Sequence, residues 1–120
     1  MKNVTNSLYV QMFYMLGMGA GFLFMPNVVL PIFGLQTTTE VWIRVLGALV
    51  IGFAGYYYAC IKSEHVPYFK ATVYGRYWFC GCLVVLAALQ LGDPMLYVFA
   101  AVETSFTVWT HVALKKANLF

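Results

Sequence analysis

Four apolar stretches, over 7–25, 41–61, 72–91 and 94–114, follow one another along the chain with only short polar segments between them. Each reaches or exceeds the roughly 18 residues that an α-helix needs to cross the hydrocarbon core of a bilayer. In lipid every backbone N–H and C=O must be satisfied within the protein, so runs of this length are expected to be helices. Composition agrees. The chain has 120 residues, of which 62% are hydrophobic and only 9% charged. A soluble domain usually carries about 25% charged residues to solvate its surface. A soluble globule, a nucleic-acid binder and a disordered tail are therefore excluded as expectations. The expected fold is all-α, a single domain over 1–120 that forms an integral membrane bundle of four transmembrane helices.

The breaks between the runs have local causes. Pro26 removes a backbone donor and ends or kinks the first run. The segment 27–35, with Pro31 and Gly34, is too short to cross again and is expected to lie at the interface or to finish a kinked helix. Residues 36–40 form a polar loop, and 62–69, with Glu64, His65 and Pro67, form a second. Gly92-Asp93-Pro94 makes a tight turn, with Asp93 as N-cap and Pro94 at the first helical position. Short loops make sequential helices antiparallel neighbours. Lys2, Lys62, Lys70, Arg76, Lys115 and Lys116 all fall towards one side, and only Arg44 towards the other. The positive-inside rule then places both termini in the cytoplasm, with membrane lipid as the surrounding partner.

Lys2 before an apolar run superficially resembles a signal peptide, but the run is long and no small-x-small cleavage site follows. The expectation is a retained first span. Asn3-Val4-Thr5 fits a glycosylation sequon on the expected cytoplasmic side, where it has no use. Cys60, Cys80 and Cys82 are odd in number and lack metal-ligand spacing, so free thiols are expected.

Glu103 is the most informative residue. It lies about nine residues into the fourth run, roughly 13 Å from its outer end at about 1.5 Å per residue. An ionisable residue at that depth faces the bundle interior, a partner or a watery cavity. Arg44, one turn inside the outer end of the second run, and Arg76, one turn inside the inner end of the third, are the available cations; the depths favour Arg44. The pair either fixes helix register as a buried ion pair or forms a site for a ligand or proton. Thr107 and Thr110 share the face of Glu103, although threonines in helices commonly bond back to their own backbone. Arg44, Ala48, Ile51, Gly55 and Tyr58 align on the second run, and Arg76, Cys80, Leu83, Ala87 and Gln90 on the third. The candidate ligand- or proton-binding residues are thus Glu103, Arg44, Arg76, Thr107 and Tyr58.

Gly17, Gly19 and Gly21, with Ala48, Gly52 and Gly55, have the small-x-x-x-small character that lets helices approach closely, within the bundle or between subunits. His65 and His111 are expected to be interfacial rather than ligands. No metal site, nucleophile motif, haem motif or phosphate loop is present, so neither a cofactor nor a catalytic residue is expected.

The layout Gly21-Phe22-Leu23-Phe24-Met25-Pro26, then Phe33-Gly34-Leu35, then Arg44-x-x-Gly47 with Gly52 and Gly55-Tyr56-Tyr57, resembles small bacterial four-helix membrane proteins of the DoxX-like kind. The resemblance covers the first half of the chain. It implies a four-span bundle in a bacterial inner membrane and transfers no catalytic residue; the DoxX association with redox complexes is its only functional hint.

The functional expectation is a small membrane protein that binds or transports a small or amphiphilic ligand through an intramembrane Glu-Arg site as a homo-oligomer, with no enzymatic activity assigned to it. One alternative is a non-catalytic accessory or assembly subunit of a larger membrane complex. Another is a membrane-embedded redox or lipid enzyme.

Overall fold

A computed structural model describes residues 2–120. They form five helices: α1 (Lys2–Phe24), α2 (Pro26–Ile32), α3 (Trp42–Lys62), α4 (Val66–Ala88) and α5 (Met95–Lys116). The chain is all-α, and α1, α3 and α4 are each long and apolar enough to cross a membrane. α5 is as long, at 22 residues. Glu103, Thr104, Ser105, Thr107, Thr110 and His111 make it less apolar, and three of these, Glu103, Thr107 and Thr110, are buried against other helices. Large apolar side chains such as Phe13, Trp42, Trp78 and Leu91 point outward.

The helix boundaries correct two expectations. α1 begins at Lys2 rather than near residue 7. α4 begins at Val66 rather than near residue 72, so the expected loop over 62–69 shrinks to residues 63–65. Pro67 belongs to the first turn of α4, where its missing N–H would have had no helical partner anyway. His65 caps this end, its Nδ1 accepting the Tyr68 backbone N–H at 3.3 Å. At the other tight turn Asp93 Oδ1 accepts the Met95 N–H at 2.9 Å, and Pro94 stands just before the first helical residue.

α1 does not continue through a kink. Met25 leaves the helical region (φ −144°, ψ 57°), and α2 starts afresh at Pro26. Gly21 allows α2 to fold back: a Cβ there would come within 2.7 Å of Val29 Cγ2. Four helix ends close in the same way, through a residue in the left-handed region: Gly34 after α2, Glu64 after α3, Gln90 after α4 and Asn118 after α5. In each, the next N–H reaches a carbonyl five residues back, as Leu91 does to Leu86 at 3.0 Å.

α1 is the spine. It packs on α3 along one side and on α5 along another, and α4 packs on α5. α1 and α3 cross backbone to backbone at Gly19 and Gly47, where a Cβ on Gly47 would stand 2.6 Å from Gly19 O. α3 and α4, although joined by the three-residue segment 63–65, are not closely packed along their length. The expectation that loop-linked helices are neighbours fails here, and the gap between α3 and α4 makes the site.

Candidate functional site

The seam between α1 and α5 is polar. Asn3, Ser7 and Gln11 recur every fourth residue and so occupy one stripe of α1. Each meets α5. Asn3 Oδ1 accepts from Trp109 Nε1 at 3.1 Å, Ser7 Oγ and Thr110 Oγ1 share a hydrogen bond of 2.8 Å, and Gln11 Nε2 donates to both carboxylate oxygens of Glu103, at 3.1 and 3.3 Å. Thr107 is fully buried but spends its hydroxyl on its own helix, donating to Glu103 O at 2.7 Å. It shapes the seam and offers no side-chain donor to the site.

Arg76 stands on α4, ten residues from its start. That is roughly 15 Å along a helix of this length, hence about mid-depth rather than one turn from the end. Its side chain is 6% exposed. Nε donates to Thr72 O at 3.3 Å, whereas Nη1 and Nη2 have no hydrogen-bond partner. A buried guanidinium with its two terminal nitrogens unsatisfied is costly, because each unmet buried polar group costs about 1–3 kcal/mol and a charged one more. Gln11 Oε1 is likewise buried and without a partner.

These groups form the floor of a cavity of about 740 Å³. Gln11, Tyr14 and Met15 of α1 and Glu103 of α5 line its back, and α3 and α4 supply the two walls. The walls are mostly apolar: Leu46, Leu49 and Phe53 on α3, and Gly75, Phe79 and Leu83 on α4, with Tyr57, Tyr68, Thr72 and Arg76 as the polar exceptions. The site is therefore a hydrocarbon-lined groove between α3 and α4 with a cation, a carboxylate and an amide at its base. Pockets of roughly 300–1,000 Å³ with a few placed polar groups are typical of small-molecule sites.

The expected site residues separate. Glu103 and Arg76 face the same cavity; Arg44 does not. Arg44 is exposed, and its Nη1 donates to Leu23 O at 2.6 Å. Pro26 and the non-helical Met25 strip the last carbonyls of α1 of their usual partners, and a cation is favoured at a helix C-terminus. The expected Arg44–Glu103 pair is thus corrected: Arg44 closes the end of α1, and Glu103 is bonded to Gln11. Tyr58 is 50% exposed and points away, whereas its neighbour Tyr57, 7% exposed, lines the groove. The inward face of α3 is Gly47, Ala54, Tyr57 and Ile61, not Arg44, Ala48, Ile51, Gly55 and Tyr58.

Of the expected packing residues only Gly19 and Gly21 make close contacts within the bundle, and the alternative, contact between subunits, stays open for the others. Around Gly17, Gly52 and Gly55 an added Cβ would meet nothing within 4 Å, and Ala48 is exposed. Gly21 admits α2, and the helix crossing itself rests on Gly19 and Gly47. Gln11, Tyr14 and Tyr57 are site residues that the sequence pattern did not single out. For Gln11 a signal existed, in the four-residue recurrence of Asn3, Ser7 and Gln11.

His111 Nδ1 shares a 3.0 Å hydrogen bond with Tyr77 OH, tying α4 to α5, and the three cysteines are free. Among the described residues no group of three His, Cys, Asp or Glu side chains is placed to hold a metal ion. Compared with known proteins, the chain matches no family model, no curated protein and no solved structure.

Proposed function

We propose that the protein is a membrane-embedded four-helix bundle that binds, or moves, a small amphiphilic ligand taken up from the side between α3 and α4. One observation carries this: Arg76 Nη1 and Nη2 lie buried and unpartnered at the base of an apolar groove. A buried cation with free donors calls for an acceptor, and the hydrocarbon walls call for an apolar body attached to it. Three helices long and apolar enough to cross a membrane support the setting. Within it, α5 is the fourth span, with Glu103, Thr107 and Thr110 turned inward. The basic residues Lys2, Lys62, Lys115 and Lys116 then mark the cytoplasmic side, and the resemblance to DoxX-like proteins favours a bacterial inner membrane.

The small-residue face of α3 supports a homo-oligomer. Ala48, Gly52 and Gly55 are exposed, with open space around both glycines.

The test is native mass spectrometry of the protein released from a mild detergent, beside a Gly75→Leu variant. Gly75 lines the groove and an added Cβ there meets nothing within 4 Å, so a larger side chain is expected to narrow the groove with the helices kept, which an unchanged helical spectrum checks. The expected result is a defined small-molecule mass retained by the native protein and lost from the variant. The same spectra give the subunit count. A protein bare in both forms, or bound to a larger protein, would overturn the ligand reading in favour of an accessory subunit.

A further inference from the structure

We infer that the ligand's head is a single carboxylate, so that the groove selects a long-chain fatty acid; this deepens the amphiphile reading and rests on it. The donor geometry comes first. With Nε committed to Thr72 O, the free edge of the Arg76 guanidinium is the one that carries Nη1 and Nη2. Two parallel N–H groups on a planar fork match the two oxygens of a carboxylate, and such pairs are short, charge-assisted and geometrically selective. A neutral carbonyl or hydroxyl offers one oxygen and no charge, and leaves part of that edge unmet.

The opposite limit comes from Glu103. Its carboxyl lines the same cavity, and Gln11 holds both of its oxygens. It is bonded to Gln11 and not to the guanidinium, so the Arg76 donors stay open. An ionised Glu103 repels any anionic head, and a near-dianionic phosphomonoester about twice as strongly as a carboxylate, so the order of selectivity runs towards the smaller charge. The attraction comes from the open Arg76 fork, and the acid nearby limits it to a head with one charge.

The walls decide the rest of the molecule. Apolar side chains such as Met15, Leu46, Phe53, Phe79 and Leu83 make most of the lining. Apart from the groups of the floor, its polar side chains are three tyrosines, Tyr14, Tyr57 and Tyr68, and Thr72, whose hydroxyl donates to Phe69 O. No further charged group is there to recognise another ionised function. An unbranched hydrocarbon chain lies along such a surface and leaves through the open side between α3 and α4.

Three probes with one tail test this: oleic acid, oleyl alcohol and oleoyl lysophosphatidic acid. Each is titrated in the same detergent against the native protein, Arg76→Gln, Arg76→Lys and Gly75→Leu, and bound fractions are read by native mass spectrometry. Oleate is expected to bind at least about tenfold more tightly than the alcohol, the equivalent of one charge-assisted pair. Arg76→Gln brings that ratio to about one. Arg76→Lys, which keeps the charge but loses the fork, retains part of it. Gly75→Leu weakens both probes. If Arg76→Gln fails to fold, the native head preference and the Arg76→Lys variant carry the result. Equal binding of acid and alcohol, both weakened by Gly75→Leu, would overturn the carboxylate and leave the groove standing. Tighter binding of the phosphate probe, lost in Arg76→Gln, would replace the carboxylate with a phosphate lipid. Binding that Gly75→Leu does not touch would overturn both the carboxylate and the groove.

Discussion

Gln11 on α1 places its Nε2 between the two carboxylate oxygens of Glu103 on α5, at 3.1 and 3.3 Å, with both side chains buried. One amide thus answers the acid that the fold carries inside. Its own oxygen remains without a partner.

Gln11→Leu keeps the bulk and removes the donor, and leaves a buried carboxyl unmet. It is expected to lower stability by about 1–2 kcal/mol, seen as earlier thermal unfolding in detergent. Glu103→Gln preserves an acceptor for Gln11 and should leave unfolding nearly unchanged. If the native protein transports its ligand, this variant should lose coupling while it stays folded. Unchanged transport in it would remove Glu103 from the mechanism.

Ser7 and Thr110 form the next rung, at 2.8 Å. A double-mutant cycle with Ser7→Ala and Thr110→Val should return a coupling of about 0.6 kcal/mol, the average for hydrogen bonds between membrane helices. Strict additivity of the two single variants would show that the rung contributes nothing.

Gly47 and Gly52 lie five residues apart on α3 and should respond oppositely to alanine. A Cβ on Gly47 runs into backbone, Gly19 O at 2.6 Å and Leu23 N at 2.7 Å, which cannot step aside as a side chain would. Gly47→Ala is expected to cost about 1–3 kcal/mol. Gly52→Ala meets open space and, by stiffening the helix, should stabilise by roughly 0.5–1 kcal/mol within the monomer. A loss of subunit association in Gly52→Ala, with the fold intact, would mark that face as an oligomer contact.

Arg44→Gln removes the cation from Leu23 O. Because the site is exposed, the loss should be about 1 kcal/mol, and binding in the groove should not change. A defect in ligand binding with normal stability would return Arg44 to the site.

The helices were legible because their signals are local: long apolar runs punctuated by Pro26, by Gly34 and by Gly92-Asp93-Pro94. The start of α4 was not, since Pro67 reads as a breaker in sequence and acts as a first-turn residue in the fold. That shift of six residues moves Arg76 from near a helix end to mid-depth, and so decides which arginine shares a cavity with Glu103. The inward face of α3 was hidden for another reason. The helix is apolar nearly all round, and Tyr56, Tyr57 and Tyr58 stand side by side, so periodicity cannot say which one turns inward. The expectation that Glu103 faces the interior needed no such detail, because a carboxylate has nowhere else to go. Its partner Gln11 is one amide in an apolar run, and only pairing across 92 positions of sequence distinguishes it.

The rungs at Asn3, Ser7 and Gln11 repeat at one helical turn and meet three fixed partners on α5. A slide of α1 along α5 by one turn, about 5.4 Å, would break all three together, whereas a tilt about the line that joins them leaves them made. The seam therefore has the geometry of a hinge pin. A swing of α1 with α3 about that line is one change in the gap between α3 and α4 that keeps all three rungs, with Gln11 and Glu103 on the axis.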